Sequence, residues 1–432
     1  MGRERALPGP LPTHRRARRR LRDVQGAAVT GGAVNGSTGA RDVAVVAFAQ
    51  TVHVRAADNL SEVEMLMPVL REVLDRTGLS AGGIDFTCSG SCDYLAGRPF
   101  SFTMALDGVG AWPPISESHV EMDGAWALYE AWVKILTGEA ETALVYSYGK
   151  SSAGDLPEVL TRQLDPYYVA PLWPDSLSLA ALQARALLDA GETDERELAG
   201  IAARSRNAAE DNPWAQLGGS PGADALLESA YLAMPLRLHD VPPVTDGAAA
   251  VVLAAGDTAR RLARRPAWIR GMDHRIDAHS LGVRDLTDSP STRLAAERAG
   301  LFDPGAPPPG LAELHAPFTS QEVVLRKALR LGADTVVNPS GGPLAANPVM
   351  AAGLVRIGEA AARVSRGEAR RAVAHATSGP CLQQNLVAVL ESDGSEGGGG
   401  GKGVGQGQGT GTGEGPGTGE GPGTGQGEGG HT

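Results

Sequence analysis

The amino-acid sequence predicts a layered α/β protein built from two similar halves between unstructured ends, and three observations lead there. Short β-rich runs alternate with longer segments of helical period through the middle of the chain. A polar loop followed by a long apolar helix occurs once in each half, at Ser116 to Leu136 and at Asn338 to Val364. Both ends differ sharply in composition from everything between them.

The elements follow in order. Asp42 to Gln50 is a β-rich opening strand. Ser61 to Thr77 carries Val63, Leu66, Met67, Leu70, Val73 and Leu74 at helical spacing, and Gly78 closes it. Ile84 to Cys88 reads as a second strand, Met122 to Leu136 as an apolar helix stopped by Gly138, and Thr142 to Tyr148 as a buried strand. The second half repeats the grammar: strand at Gly247 to Ala255, helix at Val323 to Leu331, strand at Thr335 to Asn338 and helix at Ala351 to Val364. Two strands, Val373 to His375 and Leu386 to Glu391, close it.

These readings divide the 432 residues into a basic N-terminal segment (1–41), a first half with an inserted loop region (42–255), a second half (256–391) and a Gly-rich tail (392–432). The start crowds six arginines between Arg15 and Arg22, and the tail has no large apolar residue after Val404. Neither can offset its own ordering entropy, so both are expected to be disordered. A net charge of −11 argues against nucleic acid as partner. The apolar runs fall well short of the roughly 20 residues a membrane span needs. Three unevenly placed cysteines suit a reducing compartment, so the cytoplasm is expected. Cys88 and Cys92 lack a second pair at ligand spacing and read as packing thiols, so no metal is expected.

Several motifs lie at matched positions. Val337-Asn338-Pro339-Ser340-Gly341-Gly342 is followed by Asn347-Pro348 and Gly353, while Asp246-Gly247-Ala248-Ala249 opens a strand. Asn207 to Gln216, the loop His315-Ala316-Pro317-Phe318, and Ser118 to Leu128 with its Gly124 complete the set. Together they resemble the sterol-carrier-protein-2 branch of the thiolase superfamily, also called lipid-transfer-protein-like, over most of Asp42 to Glu391. The resemblance implies a thiolase-like α/β/α/β/α sandwich acting on a coenzyme A thioester as substrate, with no tightly bound cofactor. It also implies a homodimer and an OB-fold partner protein that binds the acyl-CoA.

The chemical positions depart from that family. Glu121 falls where the nucleophilic cysteine belongs, Asn347 where its His-Pro histidine belongs, and Ser378 at its third catalytic position, with Cys381 three residues on. His315 remains family-like. A carboxylate cannot replace a thiolate nucleophile. The resemblance instead implies that His315 and Asn347 frame an oxyanion site, with Glu121 or His119 as base, while Gly341 and Gly342 bring backbone close to the thioester. That set suits retro-aldol cleavage of a lipid or steroid acyl thioester, although the branch's aldolases depend on tyrosines and none follows Tyr231 here. Two other readings stay open: an acyltransferase using Cys381 as a displaced thiol, and a non-catalytic acyl-CoA-binding or scaffold subunit. Structural roles also stay open, Glu121 as a helix cap, Asn347 as a turn residue and Cys381 as a small buried side chain. The acyl pocket is expected around Gly154 to Leu182, where Tyr167, Tyr168 and Trp173 cluster.

Overall fold

The computed structural model of the chain describes residues 41–393; the expectations for residues 1–40 and 394–432 fall outside the described residues. Ten strands form the main sheet: β1 (Val43–Gln50), β2 (Phe86–Gly90), β3 (Glu117–Val120), β4 (Thr142–Gly149), β5 (Gly247–Ala255), β6 (Ala267–Ile276), β7 (Leu311–Leu314), β8 (Val336–Val337), β9 (Arg371–Ser378) and β10 (Gln384–Glu391). Their spatial order is β8-β7-β9-β10-β6-β1-β5-β4-β2-β3. Read inward from either edge, the order is the same once five is added to each label of the first set. The pairing senses repeat as well. In each set the outer three strands are parallel, and the next two join antiparallel. Only a short antiparallel ladder, Val43–Val45 against Ala267–Ile269, links the two sets. The duplication suggested by the two loop-and-helix segments is thus present in the topology.

The helices that matter are α1 (Glu62–Thr77), α2 (Phe102–Val109), α3 (Gly124–Leu136), α4 (Leu156–Arg162), α5 (Ser176–Asp189), α6 (Glu195–Ala208), α7 (Pro290–Arg298), α8 (Thr319–Ala328) and α9 (Ala352–Arg366). Helices α3 and α9 occupy the middle layer. Their side chains share one core with alternate residues of both strand sets, such as Val145 and Val251 on one side and Ala374 and Leu386 on the other. The intervening residues face outward, Leu144 and Val252 onto α1 and α2, Val373 and Val387 onto α7 and α8. Strands covered on both faces read as continuous apolar runs, which is why β5 is nine buried residues of Gly, Ala, Val and Leu. The result is the α/β/α/β/α sandwich.

Local chemistry sets the boundaries. Ser61 and Glu64 form a reciprocal capping box at the head of α1, and Gly78 ends it in the left-handed conformation. β2 begins two residues later than expected because Ile84 closes a 3-10 turn and Asp85 accepts the Glu141 and Thr142 N–H groups. α8 starts at Thr319, a turn before its apolar period, since Gln321 reaches back to the Phe318 N–H. Strands β3, β6 and β7 escape sequence reading for a shared reason: polar side chains interrupt their apolar pattern. In β7 the interruption is Glu313, fully buried and neutralised by Arg356 at 2.8 Å. No helix among the described residues is long and apolar enough to cross a membrane.

The end of β4 meets the loop that carries Val349. A Cβ added at Gly149 would stand 2.0 Å from the Val349 carbonyl oxygen, a backbone atom that cannot swing away. Gly149→Ala is therefore expected to destabilise the fold by about 1–3 kcal/mol, the usual range for overpacking. A lowered urea midpoint checks this, and an unchanged midpoint would contradict it.

Candidate active site

An apolar cavity of about 180 Å³ lies at the ends of β7 and β9, beside the head of α3 and the loop that precedes α9. Leu156 and Leu160 of α4, Leu164, and Leu179 and Ala180 of α5 form one wall. His315, Asn347, Ser378, Cys381 and Asp123 line the same cavity, Cys381 packed against Leu164 and Leu179. The expected segment thus lines the pocket. Its aromatics do not, because Tyr167, Tyr168 and Trp173 point outward and are 83%, 75% and 58% exposed.

His315 leaves the end of β7, its N–H donating to the His375 carbonyl oxygen at 3.1 Å. Its Nδ1 accepts the Thr377 N–H at 3.4 Å, so in the neutral ring the proton sits on Nε2. Burial, then the neighbouring His375 and Arg356, push this imidazole down to about 3, while Asn347 beside it pulls the other way. The ring is a neutral donor near pH 7. Asn347 pairs backbone to backbone beside Val244, and its buried Oδ1 has no hydrogen-bond partner among the described residues.

The loop after β9 supplies Ser378 and Cys381. The Arg284 guanidinium fixes it by donating to the Pro380 and Cys381 carbonyls, and Cys381 and Leu382 both hold positive φ, 53° and 58°. Cys381 itself is buried, its Sγ 3.4 Å from the Leu179 carbonyl, and burial pushes the thiol up to about 11. It stays protonated near neutrality, the form least suited to attack.

Sequence reasoning missed Asp123. It caps α3 by accepting the Ala125 N–H at 2.9 Å, and it also accepts the Gly353 and Leu354 N–H groups of α9 at 2.8 and 3.0 Å. One carboxylate therefore heads both central helices. Gly353 is glycine for this reason: a Cβ there would stand 2.5 Å from Asp123 Oδ1. Burial pushes the Asp123 carboxyl up to about 6, against the pull of its three N–H donors and Arg356. The signal was an Asp-Gly pair at the head of an apolar helix, an N-cap signature.

The structure does not bring Glu121 and His119 to this cavity. Glu121 turns away and accepts the Asp93 N–H at 2.6 Å, its side chain about half exposed. The His119 ring stacks on Phe102 and joins Ser89 Oγ at 3.0 Å to Glu121 at 3.4 Å along the edge strand β3. Gly341 and Gly342 also stand apart from the lining. A Cβ on Gly341 would lie 2.6 Å from the Ala209 Cβ just beyond α6, and one on Gly342 would lie 2.6 Å from Asn338 Nδ2. Their loop braces β7 instead: Asn338 Oδ1 accepts the Leu314 N–H at 2.6 Å, and Ser340 binds Glu313 through both its N–H and its hydroxyl.

No protein-family model matches the chain. The chain is 26% identical to the acetyl-CoA acetyltransferase of Methanothermobacter thermautotrophicus, over 76% of this chain and 92% of that protein. It is 23% identical to sterol carrier protein 2 of Gallus gallus, over 78% and 69%. With the 17-hydroxy-3-oxo-4-pregnene-20-carboxyl-CoA lyase of Mycobacterium tuberculosis it shares 27% identity over 48% of this chain and 56% of the lyase. Among solved structures, the Ltp2-ChsH2(DUF35) aldolase superposes with a TM-score of 0.68 at 18% identity, covering 82% of this chain and 98% of that one. Human mitochondrial 3-ketoacyl-CoA thiolase gives 0.65 at 16% identity, covering 82% and 99%. The fold is that of the thiolases. In sequence the chain is similar to members of the thiolase superfamily, and the pattern of its relatives fits the lipid-transfer-protein-like branch.

Three buried histidines make the fold acid-sensitive. His53 and His315 are held to about 3 and His375 to about 4, each mainly by burial, against an ordinary 6.5. The unfolded chain binds more protons between those values, so their stability is present above pH 6.5 and lost as pH falls toward 4. Asp123 opposes them, since its raised value makes its share fall as pH rises from 3.8 to about 6. The three histidines outweigh Asp123 over this range, with Glu117, Glu313 and Glu322, also raised by burial, on the opposing side. The melting temperature is expected to drop between pH 7.5 and pH 5, and an equal or higher value at pH 5 would contradict the assignment.

Proposed function

We propose that this protein cleaves a carbon–carbon bond in a lipid or steroid acyl-CoA thioester by retro-aldol chemistry, without a covalent acyl-enzyme. The observation that carries the reading is the cavity itself. It is a largely apolar cavity lined by a neutral imidazole, and the thiol that also lines it is held protonated. A developing enolate needs a fixed donor in a water-poor site, and His315 Nε2–H is such a donor. Asn347 stands beside it. The lyase and the aldolase among the similar proteins support this class of reaction, and the lyase's name supports a steroid thioester among its substrates.

Glu121 and His119 stand outside the cavity, so a base acting there must come from its wall. Ser378 is on that wall and would contact substrate by its hydroxyl. The Gly341-Gly342 turn would act on the thioester only indirectly, through the strand it braces. A homodimer and an OB-fold partner complete the proposal; the double name of the Ltp2-ChsH2(DUF35) aldolase supports a partner protein.

Incubation with matched 3-hydroxyacyl-CoA and 3-oxoacyl-CoA, with and without free coenzyme A, tests this by product mass. Splitting of the hydroxy compound without coenzyme A consumption is expected. In that assay His315→Ala should lower kcat/KM by about 10²–10³, the loss typical of an oxyanion donor. Cys381→Ala should leave the rate largely unchanged. Thiolysis with acyl mass on Cys381 would replace the proposal with a displaced-thiol acyltransferase. Tight binding without turnover, with or without an OB-fold partner, would make the chain a binding subunit.

A further inference from the structure

We propose that Asp123 is the proton acceptor of the cavity and that Asn347 Oδ1 orients the hydroxyl from which the proton comes, an inference that rests on the retro-aldol reading. The position is unexpected for a base because the same carboxylate heads two helices. Yet the bonds are unequally shared. Oδ1 accepts from Ala125 and Leu354, whereas Oδ2 accepts from Gly353 alone and keeps capacity for a further donor. Asp123 is 3% exposed, and the cavity it lines is where such a donor has room.

Asn347 supplies the independent observation. The residue is 6% exposed and lines the same cavity, and although the His315 ring lies beside it, its Oδ1 makes no hydrogen bond of good geometry among the described residues. A buried acceptor left unmatched is costly, so the missing group is sought in the ligand. Two acceptors, Asp123 and Asn347, thus line the cavity together with one donor, the His315 Nε2–H. Their complement is a molecule with a hydroxyl near a carbonyl oxygen, which describes a 3-hydroxyacyl thioester.

The step balances without an added oxidant or co-reactant. Asp123 takes the hydroxyl proton, and the oxygen's electron pair closes a new carbonyl as the bond between Cα and Cβ breaks. The released pair passes through Cα onto the thioester oxygen held by His315. Return of the proton from Asp123 to Cα yields the shortened acyl thioester and a separate aldehyde or ketone. A carboxyl raised toward 6 by burial is matched to both taking and returning a proton near neutrality.

The test compares wild type with Asp123→Thr and Asp123→Asn. Threonine keeps an oxygen for helix capping, asparagine keeps the shape, and thermal unfolding verifies that each is folded. If wild type splits a 3-hydroxyacyl-CoA, each folded variant should lose about 10²-fold or more in kcat, as for a removed general base, with KM little changed. Cleavage within a few-fold of wild type in either variant would overturn the role of Asp123 and leave the retro-aldol reading intact. If wild type splits nothing, that reading fails, and calorimetry with the 3-hydroxyacyl-CoA and its 3-methoxy ether decides the hydroxyl contact. Tighter binding of the alcohol by wild type alone supports it; equal binding of alcohol and ether by wild type, or a preference retained by the folded variants, overturns it.

Discussion

Much of this molecule hangs on one carboxylate. Asp123 accepts backbone N–H groups from the first turns of α3 and α9, the two helices that fill the middle layer. The heads of two helices carry like partial charges that would repel if left bare, and a shared anion turns that repulsion into a joint. The packing follows from the joint. Gly353 has no Cβ because Asp123 occupies its place, and Gly124 has none because Ser147 and Leu354 crowd it. The Gly124 N–H reaches the Met350 carbonyl, so the opposed loops are stitched directly.

A second constraint aims the chemistry. β7 is only four residues long, yet it delivers His315 to the cavity. It is held from behind by Glu313, Arg356 and Ser340, all buried, and from the side by Asn338. Breaking such a buried pair by removing one partner costs about 3–5 kcal/mol, so the strand has little freedom to shift. The loop motif between Asn338 and Gly342 thus serves the imidazole at one remove. Asp246 plays a similar part, accepting from Ala57 and Ser152 and holding the loop that precedes α4.

The fold was largely legible in the sequence because its pattern arises from burial. Strands covered on both faces must be apolar throughout, and β4 and β5 read that way at once. Strands β3, β6 and β7 were harder, since polar side chains, a buried ion pair in β7 among them, interrupt the apolar signal. The site was legible in part. His315, Asn347, Ser378 and Cys381 do converge, whereas Glu121 faces away from them. The residue two positions on faces inward and takes three backbone donors, a choice fixed by α9, more than two hundred residues away in the chain. No local spacing encodes that contact.

On the proposed function, one cavity receives an acyl thioester with its carbonyl on His315. A crystal structure with an uncleavable 3-hydroxyacyl-CoA analogue tests it most directly. The carbonyl oxygen is expected within hydrogen-bond distance of His315 Nε2, the hydroxyl between Asp123 and Asn347, and the alkyl chain among Leu156, Leu160, Leu164 and Leu179. An acyl group seated instead beside Glu121 and His119, or with its carbonyl carbon against the Cys381 sulfur, would contradict it.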